Sequence, residues 1–127
     1  MAAEKYLVIS PSGDLRWEDL DREHMFPRIY EIIGNGCDCI ELVSTIIPGV
    51  GFLVDESGKV RTPRQPSNLV ASMLYYGYLV GYDVIAGAAV LVSLRHVPPY
   101  GELDSFPLSE SELAYLSLYL GMEIPDK

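Results

Sequence analysis

The chain has 127 residues, 49% hydrophobic and 21% charged, with 18 acidic against nine basic side chains and a net charge of −9. That size and apolar share suit one globular domain burying roughly two-thirds of its unfolded surface, and exclude a disordered chain. No apolar run nears the roughly 20 residues that span a bilayer, and the acidity argues against general nucleic-acid binding, which needs Lys and Arg to neutralise phosphates.

The first residues, MAAEKYLVIS, lack a basic stretch followed by an apolar core, so no signal peptide and a cytoplasmic location are expected. Residues 6–10 form a short apolar run, stopped by the turn signal Pro11-Ser12-Gly13-Asp14. Residues 15–20 then supply a second strand and an N-terminal hairpin. Pro27 suits a helix start, because its missing N–H is an orphan donor there anyway. Ile29, Tyr30, Ile32 and Ile33 give that helix an apolar face, and Gly34-Asn35-Gly36 ends it.

Residues 37–43 alternate as a strand, with Cys37, Cys39 and Glu41 on one face. The two thiols are expected to be buried, structural and unbridged, since cysteines this close fit a disulfide poorly. Glu41 is expected to be exposed. No metal is expected: zinc needs about four ligands, and His24 and His96 show no paired spacing.

After the break at 46–49, residues 52–54 and 59–61 flank Asp55-Glu56-Ser57-Gly58 as a hairpin. Pro63 and Pro66 stiffen the next loop, and Ser67 and Asn68 are helix-capping residues. Leu69, Val70, Met73 and Leu74 mark a buried helical stripe that Gly77 ends. Residues 83–94 read as one buried strand, with Gly87 permitting a close backbone approach. Residues 98–101 are a turn and 102–107 a loop. Ser109 and Glu112 make a capping box ahead of Leu113, Leu116 and Leu120, Gly121 closes the helix, and 122–127 is a tail. The order predicts a single α+β domain over residues 1–127, with a largely antiparallel sheet and about three helices.

The central elements resemble a small bacterial and phage family, domain of unknown function 3846. The resemblance covers about residues 27–94. It is carried by Ile33-Gly34, Ile40-Glu41-Leu42-Val43, Val54-Asp55-Glu56-x-Gly58-Lys59, Pro66-x-Asn68-x-x-Ala71 and Asp83-x-Ile85-x-Gly87-x-Ala89. It implies a setting among actinobacteria, their phages and mobile elements. It also lends weight to Asn68, Asp55 and Glu56 as structural or ligand-contacting positions. It implies no activity.

Two clusters stand out. Lys59, Arg61 and Arg64 are three of the nine basic residues, just before a helix start, and with Asn68 they could hold an anion at the helix N-terminus. Arginines paired to surface acids and an Asn68 that simply caps the helix explain the same pattern. Tyr75, Tyr76, Tyr78 and Tyr82 suit an interface, including self-association as a homodimer, or equally a core edge. Asp55 and Glu56 diverge at a turn, and neither a P-loop, a G-x-S-x-G elbow nor an H-E-x-x-H motif occurs, so no enzyme activity and no cofactor are expected. The sequence therefore reads as a non-catalytic acidic interaction or regulatory module with a protein partner and no membrane or direct nucleic-acid contact. The alternatives are a binder of an anionic, nucleotide-like small molecule and an acidic nucleic-acid mimic.

Overall fold

A computed structural model describes residues 3–60, 64–76 and 84–127, with Tyr76 described by its backbone alone. It is α+β: a six-stranded antiparallel sheet with one helix on one face and two on the other. Strands β1 (Glu4–Ile9) and β2 (Leu15–Leu20) form the expected hairpin, paired from Glu4↔Leu20 to Ile9↔Leu15. A 3-10 turn (Arg22–His24) leads into α1 (Met25–Ile33), which Gly34 ends at φ +63°. Pro27 sits inside the first helical turn, where its missing donor costs no helical bond.

Strand β3 (Ile40–Ser44) pairs with β4 (Val50–Asp55). The short β5 (Ser67–Asn68) opens α2 (Leu69–Tyr76) and pairs with β6 (Ile85–Ala86). The long β7 (Ala89–Val97) turns into β8 (Glu102–Phe106), and α3 (Glu110–Leu120) follows. The sheet order is β2-β1-β7-β4-β3, with β8 on the far half of β7. Val90 pairs with both Val8 and Leu53, and Ser93 with both Val50 and Phe106, so β1 and β8 share the edge of β7 opposite β4. Arg22 closes the seam between them, donating to Ser105 O and Asp104 Oδ2 at 2.7 Å each and stacking over the Phe106 ring.

The period-2 alternation divides the sheet cleanly. Tyr6, Val8, Leu53, Val90 and Val92 pack with Met25, Ile29 and Ile33 of α1. Leu7, Ile9, Phe52, Val54 and Leu91 pack with Ala71 and Leu74 of α2 and with Leu113 and Leu116 of α3. The capping box forms as expected, and Glu112 Oε2 also accepts from Ser93 Oγ at 3.1 Å, tying α3 to the sheet.

Several expectations need correction. Asp83 lies outside the described residues, and the rest of the expected 83–94 strand is two strands, because Gly87 at φ +90° breaks it between β6 and β7. Residues 102–106 form a strand; this half-exposed edge needs little apolar alternation to be stable. Residues 59 and 60 belong to successive turns, and β4 gives its two edges to β3 and β7 instead of to a 59–61 strand. Arg61 lies outside the described residues. Cys37 and Cys39 precede β3, and Cys39 is exposed where a buried thiol was expected. Leu69 is exposed, and the buried stripe of α2 runs through Ala71, Ser72 and Leu74. Residues 122–127 pack back on the body: Trp17 Nε1 donates to Pro125 O at 2.6 Å, and Ile124 joins the core edge. No helix among the described residues is long and apolar enough to cross a membrane.

Candidate functional site

The described residues around the loop after β4, the expected ligand loop, bond to one another. Asp55 ends β4 buried, and its Oδ1 accepts from Ser57 N at 3.0 Å, which turns the chain. Gln65 N then donates to Gly58 O at 2.8 Å and brings the loop back. The Gln65 side chain enters the core, where Nε2 donates to Asp55 Oδ2 and to Gly34 O, each at 3.1 Å. Its Oε1 accepts from Asn35 Nδ2 at 2.8 Å. Gly58 and Gly87 make room for it: a Cβ on Gly58 would stand 3.1 Å from both Gln65 Cγ and Ala86 O. A Cβ on Gly87 would stand 3.2 Å from Gln65 Cδ.

Asn68 is fully buried. Its Nδ2 donates to Ile9 O and Gly87 O at 2.9 Å each, and its Oδ1 caps α2 by accepting from Ala71 N at 3.1 Å. Ser72 extends the network, donating to Asn68 O at 2.7 Å and accepting from Ile85 N at 2.8 Å. Of the two roles open to Asn68, the structure uses the cap and leaves it no surface for a ligand. Of the other expected ligand residues, Arg61 lies outside the described residues. Arg64 is exposed on the surface, and Lys59 lines a cavity of about 50 Å³ with Glu41, Asp55, Glu56 and Tyr75. At ~30 Å³ per water molecule that space holds one or two waters, against the ~300 Å³ or more of a ligand pocket.

Tyr75 is half-buried beside that cavity, whereas Tyr78 and Tyr82 lie outside the described residues. Glu41 is exposed, as expected. The tyrosine-bearing end of α2 meets β3 at a defined corner: Ile46 N donates to Leu74 O at 2.8 Å. Thr45 braces that corner, its Oγ1 donating to Val50 O at 2.9 Å and accepting from Ile47 N at 3.1 Å. Leu42 and Ile46 remain 44% and 42% exposed along this edge. At its other end the Cys39 thiol donates to Glu56 Oε2 at 2.6 Å. That bond to a carboxylate, then loss of water and the neighbouring negative charges, push the thiol's pKa up. The exposed Cys39 is therefore a poor nucleophile.

Two other places group polar side chains. Asp21, Glu23 and His24 bring ligand-type atoms within 4.8 Å of one another. The Asp21 carboxylate is already engaged there as the cap of the 3-10 turn, and the Glu23 amide and then His24 lower its pKa. An open groove of about 600 Å³ lies between α3 and residues 123–127. Its aromatic floor, Trp17, is occupied by Lys127, whose Nζ lies 5.1 Å from the ring and 3.6 Å from Glu110. Gln65, Thr45 and Trp17 escaped the sequence reading. Gln65 stands in an aperiodic polar loop where nothing local marks it for burial. No family model, curated protein or solved structure matches the chain.

Proposed function

We propose that the protein is a non-catalytic interaction module whose contact surface is the corner formed by β3, Ile46 and the C-terminal end of α2. The observation that carries the reading is the Ile46 N to Leu74 O bond. It joins an edge strand to the helix end that leads into the tyrosine-rich segment and leaves Ile46 exposed beside it, while Leu42 of the same edge strand is exposed on the α1 face. Large apolar side chains held rigidly at a surface suit a protein partner, because fixing them on binding costs little further entropy. The buried polar residues Asp55, Gln65, Asn68 and Ser72 fix the opposite ends of the same elements, joining the end of β4 to the start of α2. The resemblance over residues 27–94 is consistent with a bacterial or phage setting for the partner.

A photo-crosslinking residue placed at Ile46, in the cells that make the protein, tests this. The expected result is a discrete crosslinked product that the same residue placed at Leu118, on α3, does not give. Tyr75→Ala should weaken it. Equal labelling from both positions, or none from either, would overturn the reading.

A further inference from the structure

We infer that the β3 edge docks a second copy of this chain, joining two sheets by antiparallel β3–β3 pairing; this rests on the interaction surface proposed above. The phase of the strand carries the argument. Thr45 N donates to Val50 O at 3.1 Å and Glu56 N donates to Cys39 O at 2.9 Å, so the odd-numbered residues 39–45 turn their main-chain groups toward β4. Ile40, Leu42 and Ser44 therefore turn their N–H and C=O groups outward, and among the described residues no strand pairs with that edge. A row of outward donors and acceptors on an edge strand recognises another strand. The edge carries neither Lys nor Pro in Ile40–Ser44, and its one charged side chain is Glu41.

Self-complementarity selects the occupant. A two-fold axis through Leu42, the midpoint of β3, pairs Leu42 with Leu42, Ile40 with Ser44 and Glu41 with Val43. All five residues are matched, and every outward N–H and C=O meets an outward partner. The register centred on Glu41 leaves Ser44 beyond the partner strand and also sets two carboxylates face to face, which is repulsive. The register centred on Val43 leaves Ile40 beyond the partner strand. In a molecule of net charge −9, the central register brings no two acids directly opposite one another. It also covers Leu42, whose Cδ1 lies with Leu94 Cδ1 over Gly51 on the α1 face of the sheet. The apolar surface would then continue across the axis.

Sedimentation of the purified protein across micromolar to millimolar concentration tests this, with circular dichroism to show that each variant is folded. The expected result is a dimer whose dissociation constant rises roughly thirtyfold or more in Leu42→Asp, as for loss of a central anchor. Ser44→Pro, which removes an outward N–H that β4 does not use, should also weaken it, because proline is tolerated at such an edge position. A monomer at all concentrations, or a dimer that survives both substitutions in folded protein, would overturn the inference. Crosslinking from Ile46 to a different protein, with no self-association, would overturn only the second copy and leave the interaction surface standing.

Discussion

Gln65 and Asp55 meet inside the core: Gln65 Nε2 donates to Asp55 Oδ2 at 3.1 Å where the two residues are 1% and 6% exposed. This contact fixes the end of β4 to the loop that starts α2. Gln65→Leu keeps the bulk but strips a donor from Asp55 and from Gly34 O. A buried polar group left without its partner costs about 1–3 kcal/mol, and more when charged. The expected loss is about 2–4 kcal/mol in urea unfolding with the m-value unchanged. A loss near zero would mean that water replaces the amide.

Asn68→Ala and Arg64→Ala separate the structural from the surface members of the loop. Asn68→Ala removes a helix cap and strands Ile9 O and Gly87 O. It should cost about 2–4 kcal/mol. Arg64→Ala, on an exposed side chain, should change stability by less than about 0.5 kcal/mol. Thermal melts of both variants check the contrast, and a destabilised Arg64→Ala would point to a role the geometry does not contain.

These residues mark where the sequence was legible. The β1–β2 hairpin, α1 with its Gly34 stop, and α3 with its Ser109–Glu112 box carry local signals, and all three form. Asn68 was legible as a cap, but its bonds to Ile9 and Gly87 span 59 and 19 residues and depend on the sheet. Gln65 was invisible for the same reason: its burial is decided by Gly58, Gly87 and Asp55, brought together only in the fold. The 83–94 run misled because an apolar run reads alike on either side of a positive-φ glycine. The edge strand β8, half-exposed and without clean alternation, offered no periodic signal.

Tyr6 carries a buried hydroxyl without a hydrogen-bond partner among the described residues. Burial raises its pKa, and Arg22 nearby offsets this in part, although the guanidinium donates to Ser105 O and Asp104 rather than to the phenol. The folded pKa lies above the unfolded one, so the associated stability is complete below about pH 10, the unfolded pKa, and is lost as pH rises through the folded value. Tyr6→Phe should therefore be neutral or stabilising by up to about 1 kcal/mol near neutral pH. It should also lose less stability than the parent on alkaline titration. A clear destabilisation at pH 7 would show that the hydroxyl is bonded after all.

Cys39 answers to Glu56. The raised thiol pKa favours the protonated form, so the link between them holds below the ordinary thiol pKa of about 8.5 and fades as pH climbs through the folded value. In a Cys37→Ala background, Glu56→Gln removes the accepting carboxylate's charge and should move the pH-rate profile of Cys39 alkylation to lower pH. An unmoved profile would show that the thiol does not sense Glu56.

The most direct measurement is amide hydrogen exchange along β3 at low and high protein concentration, read residue by residue by NMR. At low concentration Glu41, Val43 and Thr45, whose N–H groups point to β4, should be protected, and Ile40, Leu42 and Ser44 should exchange quickly. At high concentration the account predicts that Ile40, Leu42 and Ser44 become protected as well. Fast exchange at these three amides under all concentrations, in a protein that self-associates or stays monomeric, would contradict it.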